Sequence, residues 1–478
     1  MLTARLPNVS LANDVNRTLP LILAVALFME HMDSTVIATS LPAIAKDIQT
    51  SPVALKLALT AYLVSLAIFI PISSWMADRF GAKRVFRSAI GVFIIGSVCC
   101  AVSGSLTAFV ISRFLQGIGG AMMTPVARLV LVRSTPKREL VSAMAWLTVP
   151  ALIGPMAGPP VGGFITTFFT WHWIFLINVP IGVIGNFLAG RLLPEIEPVG
   201  AAPIDTIGFF LSAVAASGVV FGLSVVSLPA LPPWVGLATL GIGTIAGIAY
   251  VRHARRATSP LLNLRLFKQP VFRAAITGGT LFRIGNGAVP FLLPLMLQLG
   301  FGLTPFESGM LTFVSAIGAL AMKFVAPITL RAGGFRTVLL VGAVCGSASI
   351  AANGFFTPQT PPAVIMTVLL GAGFLRSMFF TSTNALVFAD LEPKEVSQAT
   401  AISAVTQQVS VALGVAIAGG ILEASAYFSG GAITLSSFSI AFLIVAAITA
   451  LSVLPYIGLA RDAGSAVSGH REQRAPGE

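Results

Sequence analysis

The sequence predicts an all-α membrane protein with 14 transmembrane helices, and its charge content, charge spacing and apolar run length together predict it. Only 10% of the 478 residues are charged and 56% are hydrophobic, with a mean hydropathy of +0.91. A soluble domain would carry about 25% charge. The charges cluster in short runs between apolar stretches of about 20 residues, each long enough to cross ~30 Å of hydrocarbon as a helix. Lipid offers backbone groups no hydrogen bonds, so only helices or a closed barrel can span it. The ten-residue alternation of barrel strands is absent.

Taken in order, the apolar runs lie at about 19–41, 53–76, 85–104, 107–131, 140–165 and 172–193, which form a first group of six. Two more, at about 205–227 and 233–251, are joined by the Pro-rich stretch Leu228–Pro233 and read as a hairpin. A second group of six follows at about 270–299, 306–330, 337–356, 362–389, 396–424 and 435–460. The domain reading is therefore a six-span bundle over 1–193 and a linker with the inserted hairpin over 194–269. A second six-span bundle follows over 270–460, then a tail over 461–478. Arg79, Gly81 and Arg84 recur at one constant offset as Arg331, Gly333 and Arg336, each set after a descending span, which favours a duplicated unit.

The net charge of +12 belongs to membrane topology rather than to nucleic acid. With the N-terminus in the cytoplasm, most Lys and Arg fall on the inner side, while Lys46 and Lys56 occupy outside loops. Both termini are then cytoplasmic. No short apolar segment ends in a small-residue cleavage site, so the first span reads as retained. Cys99, Cys100 and Cys345 lie within spans and read as small core residues, not as disulfide partners or metal ligands.

Four stretches carry mechanism. The first span holds Asp33-Ser-Thr-Val-Ile-Ala-Thr-Ser-Leu-Pro42, and the loop after span two holds Ala77-Asp78-Arg79-Phe80-Gly81-Ala82-Lys83-Arg84. Span four holds Arg113-Phe-Leu-Gln116-Gly117-Ile-Gly119-Gly120, and span five holds Gly154-Pro155-Met-Ala-Gly158-Pro159-Pro-Val-Gly162-Gly163. In this order, and with Trp171–Pro180 and Pro260–Phe267, they resemble the fourteen-span drug:proton antiporters of the major facilitator superfamily (the EmrB/QacA type). Within that family they resemble the MdtD-like group of bacterial exporters. The resemblance covers nearly the whole chain. It implies the major facilitator fold: two six-helix bundles with a midplane cavity between them, plus the two-helix insertion. One position departs from the family pattern: the loop motif begins with Ser74 where Gly is usual, a change that keeps a small residue.

Glu30 and Asp33 are three residues apart on one face of the first helix, near the bilayer midplane. Desolvation and mutual repulsion oppose ionising both, so such a pair is suited to taking and releasing protons. The alternative is a permanent pairing that only fixes packing. His31 points off that face and reads as structural. Arg113 enters span four at a depth that matches Asp33. The resemblance implies that it holds the Asp33 carboxylate until a proton or substrate displaces it; a static pair is the alternative. Asp33 is the expected main proton carrier, with Glu30 tuning it. Asp78, Arg79, Gly81, Lys83 and Arg84 form a charged turn that suits a conformational latch closing the cytoplasmic side. Gly154, Gly158 and Gly162 give a smooth helix face, and with Pro155, Pro159 and Gly163 they form the antiporter-motif helix.

The second half is rich in deep cations. Arg283 and Arg376 lie at mid-span, and Lys323 snorkels toward the inner side. The only acid well inside a second-half span is Glu423, near its outer end. Arg283 and Arg376 therefore reach across to Glu30 and Asp33, are solvated by Gln116, Asn286, backbone carbonyls and water, or meet an anionic substrate. Arg283, Arg376, Asn286, Gln116 and Lys323 are the candidate substrate residues.

His31, His172, His253 and His470 make no metal spacing, and no phosphate-binding loop, serine elbow or His-Glu-x-x-His helix occurs. No cofactor, metal or catalytic residue is expected, and the energy source is a gradient. The functional expectation is a proton-coupled antiporter exporting drugs or small organic molecules across the bacterial inner membrane by alternating access. One alternative is export of an organic anion or metal-chelate metabolite. A passive facilitator or sensor and an intramembrane acid–base enzyme are rivals of other classes, and the enzyme lacks a nucleophile. The expected partners are a small-molecule substrate, protons and the bilayer, with no nucleic acid; a periplasmic adaptor stays open.

Overall fold

The computed structural model describes residues 18–136, 140–195, 204–226, 231–392, 395–429 and 432–465. The polar N-terminus, the end of the tail with His470, and parts of the two hairpin loops lie outside them. Every regular element among the described residues is helical. In order these are α1 Thr18–Val36, α2 Leu41–Asp47, α3 Lys56–Phe80, α4 Ala82–Ala101, α5 Leu106–Ser134 and α6 Leu140–Phe168. They continue with α7 Trp173–Leu176, α8 Asn178–Leu192, α9 Thr206–Val226, α10 Pro233–Arg256 and α11 Pro270–Leu295. The last are α12 Pro305–Asn353, α13 Pro362–Val387, α14 Val396–Phe428, α15 Leu435–Ala450 and α16 Val453–Ile457.

Local chemistry sets the boundaries. Pro233, Pro270, Pro305 and Pro362 open their helices, where a missing N–H costs nothing. Ser105 caps α5 by accepting from Ala108 N at 3.3 Å. Thr304 and Glu307 form a reciprocal capping box on α12. Gly81, at φ 90°, separates α3 from α4 in a conformation that only glycine adopts freely. Gly334, at φ 63°, interrupts α12 in the same way and divides it into two spans. The repeat placed Gly333 opposite Gly81; the backbone turns one residue later.

Thirteen helices among the described residues are long and apolar enough to cross a membrane. The expected fifth span forms α6, a 29-residue helix with four internal prolines, which is not one of the thirteen. The segment after the first span is not a bare loop. It folds as α2, because Leu41, Ile44 and Ala45 pack into the core below it. Lys56 does not lie in a loop as expected. It opens α3 and is wholly buried. Of the cysteines, Cys100 is buried but Cys345 is exposed on its helix.

The helices α1, α3–α6 and α8 pack as one bundle and α11–α15 as a second, while α9 and α10 pair as the hairpin. The hairpin is tight because Gly218 meets Gly243 and Gly222 meets Leu240 backbone to backbone. α9 lies on both α3 and α14, covering one seam between the bundles. At the opposite seam α6 packs on α12. The apolar cores report the packing along the axis. At the α2 end one core joins both bundles, running from Val36, Leu41 and Phe109 to Phe291, Leu295 and Phe442. At the Gly81 end the bundles keep separate cores, one around Phe86, Phe93 and Met123, the other around Phe272, Phe335 and Tyr456.

Candidate functional site

Asp33 and Arg113 meet in the middle of the first bundle, as their depths predict. Arg113 Nη1 donates to Asp33 Oδ2 at 2.7 Å, and both side chains are almost fully buried. Gln116 Nε2 donates to Asp33 Oδ1 at 2.9 Å, and Asn178 Nδ2 donates to the same oxygen at 2.6 Å. Ser97 Oγ links the two amides, accepting from Gln116 at 2.8 Å and from Asn178 at 3.3 Å. Arg113 also donates to Gln116 Oε1 and lies 4.3 Å from the centre of the Tyr62 ring. The carboxylate is thus neutralised and solvated entirely by protein. This is the arrangement in which a buried ion pair survives and in which removing one partner is costly.

Glu30 does not share this network. Thr124 Oγ1 donates to Glu30 Oε2 at 3.0 Å, and His31 Nδ1 lies 3.7 Å from the same oxygen. Against expectation, His31 is therefore a neighbour of the acid. Adjacent turns of α1 carry the two carboxylates to different partners: Asp33 to α5 and α8, and Glu30 to Thr124, farther along α5 toward the Gly81 end.

At the Gly81 turn, Arg133 Nη2 donates to Asp78 Oδ1 at 2.7 Å, and Lys83 Nζ lies 3.2 Å from Glu195 Oε1. Arg79 and Arg84 are exposed. Arg133 belongs to the same bundle as Asp78, so this tie fixes α3 to α5 rather than one bundle to the other.

The antiporter-motif helix α6 is wedged between α1 and α12. Gly154 faces the Phe28 carbonyl, where a Cβ would sit 2.8 Å away. A Cβ at Gly158 would collide with Thr35, and one at Gly162 with the Val36 carbonyl. On its other side Gly163 meets Pro305 of the second bundle, and Pro159 meets Gly309. The glycines thus let three backbones approach closely, and Pro155 and Pro159 line a cavity beside them.

That cavity, about 400 Å³, lies between α1, α6, α11, α12, α13 and α14. Arg283, Lys323, Arg376 and Asn286 line it, together with Thr35, two residues from Asp33, and Thr39, nearly two turns from it. Gln116 does not line it; it is buried in the Asp33 network, because an amide there satisfies both the acid and the arginine. Asn286 donates to the Phe282 carbonyl at 3.1 Å. Lys323 is exposed and donates to Thr381 Oγ1 at 3.0 Å. Arg283 donates from Nη2 to Asn384 Oδ1 at 2.8 Å and lies 5.5 Å from the Phe380 ring centre. Neither Arg283 nor Arg376 forms an ion pair with Glu30 or Asp33 among the described residues. Among the described residues, no cluster of three His, Cys, Asp or Glu could hold a metal ion.

A family model described as Major Facilitator Superfamily matches residues 23–415, with a second match over 275–476. The chain belongs to the major facilitator superfamily. It is 36% identical over 401 residues to a protein named as the multidrug resistance protein MdtD of Pectobacterium carotovorum, covering 84% of this chain and 86% of that one. It is 35% identical over 428 residues to one named as the transport protein HsrA of Haemophilus influenzae, covering 89% and 92%. A solved POT family transporter in complex with 5-aminolevulinic acid superimposes with a TM-score of 0.68 at 15% identity, covering 91% and 94%. The nucleoside transporter NupG superimposes with a TM-score of 0.66 at 14% identity, covering 92% and 99%. These two likenesses concern the fold. The chain is thus a multi-pass membrane transporter related to bacterial multidrug resistance proteins.

In this major facilitator chain the residues that sequence reasoning missed are those joining the bundles. Lys56 of α3 forms a buried ion pair with Glu423 of α14. Gln298 donates to the Thr39 carbonyl at 2.9 Å, and Phe306 N donates to Thr167 Oγ1 at 3.1 Å. All three ties lie at the α2 end. Asn178 was missed as well; its signal is an amide inside an otherwise apolar span.

Proposed function

We propose that the chain is a proton-coupled antiporter that exports drugs or small organic molecules across the bacterial inner membrane by alternating access. In this reading α6 completes a set of 14 spans. The bundles of 1–193 and 270–460 rock about the cavity, and both termini are cytoplasmic. The single observation that carries the reading is the buried Asp33–Arg113 pair, placed on α1 nearly two turns from the cavity residue Thr39. Asp33 is the coupling acid. A proton reaching its carboxylate removes the charge that Arg113, Gln116 and Asn178 hold, and those donors must then find other partners. α1 carries that change to the cavity directly, because it lies against the glycine face of α6. Glu30, held by Thr124 and His31, tunes the pair. Asp78, Arg79, Gly81, Lys83 and Arg84 form the latch turn on the cytoplasmic side, with Arg133 as the partner of Asp78.

The shared core and the three inter-bundle ties at the α2 end, against separate cores at the Gly81 end, support an inward-facing form. The relatives' names support a drug-like cargo.

Reconstituted vesicles with an imposed pH gradient test the reading. Asp33→Asn should abolish substrate-driven proton movement and uphill export while the protein stays folded, and Glu30→Gln should slow both. Uphill export by Asp33→Asn at the wild-type rate would falsify it.

A further inference from the structure

We propose that the cavity takes an amphipathic organic anion. A carboxylate, sulfonate or phosphate group would sit among Arg283, Lys323 and Arg376, with an apolar body extending toward Leu293 and Pro294. The inference rests on the transporter reading above and names its substrate class.

The charge inventory comes first. Arg283 is 3% exposed, and its Nη1 is buried with no partner. Its one hydrogen-bond acceptor is the neutral amide of Asn384, which cannot balance a charge. Lys323 donates to a hydroxyl. Among the described residues, the Arg376 guanidinium makes no hydrogen bond or ion pair, and no Asp or Glu lines the cavity. The nearby acids are engaged elsewhere: Asp33 by Arg113, Gln116 and Asn178, Glu30 by Thr124 and His31, and Glu423 by Lys56. Three cations therefore share a space within the membrane without a counter-charge, an arrangement that is costly unless an anion completes it. A cationic cargo would add a fourth like charge.

Shape comes second. Along α11 the lining changes from Arg283 and Asn286 to Val289, Pro290, Leu293 and Pro294. Leu293 is ten residues beyond Arg283, about 15 Å along a helix rising ~1.5 Å per residue. The site is thus charged at one end and apolar at the other. Its volume of about 400 Å³ falls in the ~300–1,000 Å³ range of small-molecule sites and suits a ring system with one acidic group rather than a whole two-chain lipid.

A matched pair of probes isolates the head-group charge: radiolabelled naphthalene-2-carboxylate and 2-naphthylmethylammonium, which share an apolar body. Binding is measured to the full chain in phosphatidylcholine nanodiscs with no pH gradient, so that a failure of proton coupling does not affect the result. The carboxylate should bind saturably and at least about tenfold tighter than the ammonium. Arg376→Gln should weaken it about tenfold or more and leave thermal stability unchanged or raised, because among the described residues this guanidinium has no hydrogen bond or ion pair to lose. Arg376→Lys should restore most of the affinity, and Arg283→Gln should act in the same direction as Arg376→Gln. Nanodiscs containing phosphatidylglycerol distinguish the source: competition points to an acid from the bilayer, undiminished binding to a soluble one, and both support an anion site. Tighter ammonium binding, equal binding of the two probes, or carboxylate binding unchanged in both glutamine variants would overturn the proposal. Carboxylate binding alongside uphill export by Asp33→Asn at the wild-type rate would overturn only the antiporter reading.

Discussion

Three donors converge on the two oxygens of Asp33, and they are not equivalent. Arg113 supplies charge, whereas Gln116 and Asn178 supply geometry, each amide also donating to Ser97. Asn178→Ala removes a 2.6 Å hydrogen bond to a buried carboxylate and should destabilise the chain by about 1–3 kcal/mol. Thermal unfolding in detergent measures this, and Asn178→Asp should be worse, since it sets a second acid against the first. The Asp33–Arg113 pair was legible in the sequence because charges in apolar spans demand partners, and comparing depth along two spans identified them. Gln116 was assigned to the cavity because a neutral amide carries no such demand and its partner could not be inferred. His31 reads as structural from helical phase and as a lone histidine, yet its Nδ1 lies 3.7 Å from Glu30 Oε2.

At the scale of helices, α6 joins the two bundles, packing on α1 on one side and on α12 on the other. Its glycines at 154, 158 and 162 press on α1, and Gly163 presses on α12. Gly158→Ala would drive a methyl group into Thr35 and should cost about 1–3 kcal/mol together with most transport activity. Gly91→Ala provides the contrast, because nothing lies within 4 Å of the added carbon. That variant should be neutral or slightly stabilising, by up to about 1 kcal/mol, from the better helix propensity of alanine. Vesicle transport and thermal unfolding of both proteins check the pair. If both lose activity equally, close approach at Gly158 is not the reason for its glycine. The four-residue glycine spacing exposed this face in the sequence, but not which helices it meets. The duplicated loop was legible to within one residue, since Gly333 and Gly334 are adjacent and only backbone geometry decides which one turns.

Across the whole molecule, the two bundles meet through the core and ties at the α2 end. Lys56–Glu423 is the charged member of those ties, formed between residues far apart in sequence. Nothing local links them, and a lysine at the start of a span reads as an ordinary loop charge, so the pairing was invisible before the fold was known. Removing one partner leaves an unpaired buried charge and typically costs about 3–5 kcal/mol, whereas replacing both with apolar residues of similar size is near neutral. Lys56→Met should therefore destabilise the chain, and the double variant Lys56→Met/Glu423→Leu should recover stability. The double variant should also label faster with an impermeant maleimide at a cysteine placed at Leu293, which lies at the α2 end of the cavity. Unchanged labelling would mean that this ion pair does not hold the bundles together. The hairpin α9–α10 covers the α3–α14 seam, while the cavity residue Leu320, 41% exposed, lies on α12 at the opposite seam.

A cavity with no Asp or Glu among its described lining has an electrical consequence. If one anion leaves as one proton enters, both movements transfer charge in the same sense, and each turnover carries current inward. Each charge crossing the membrane is worth about 2.3 kcal/mol per 100 mV, so the voltage acts twice per cycle. A carrier exchanging a monovalent cation for a proton would draw nothing from that voltage. An exchanger of an anion for a proton, with Arg283, Lys323 and Arg376 in its wall, would keep working in alkaline surroundings where the pH difference has vanished, on membrane potential alone.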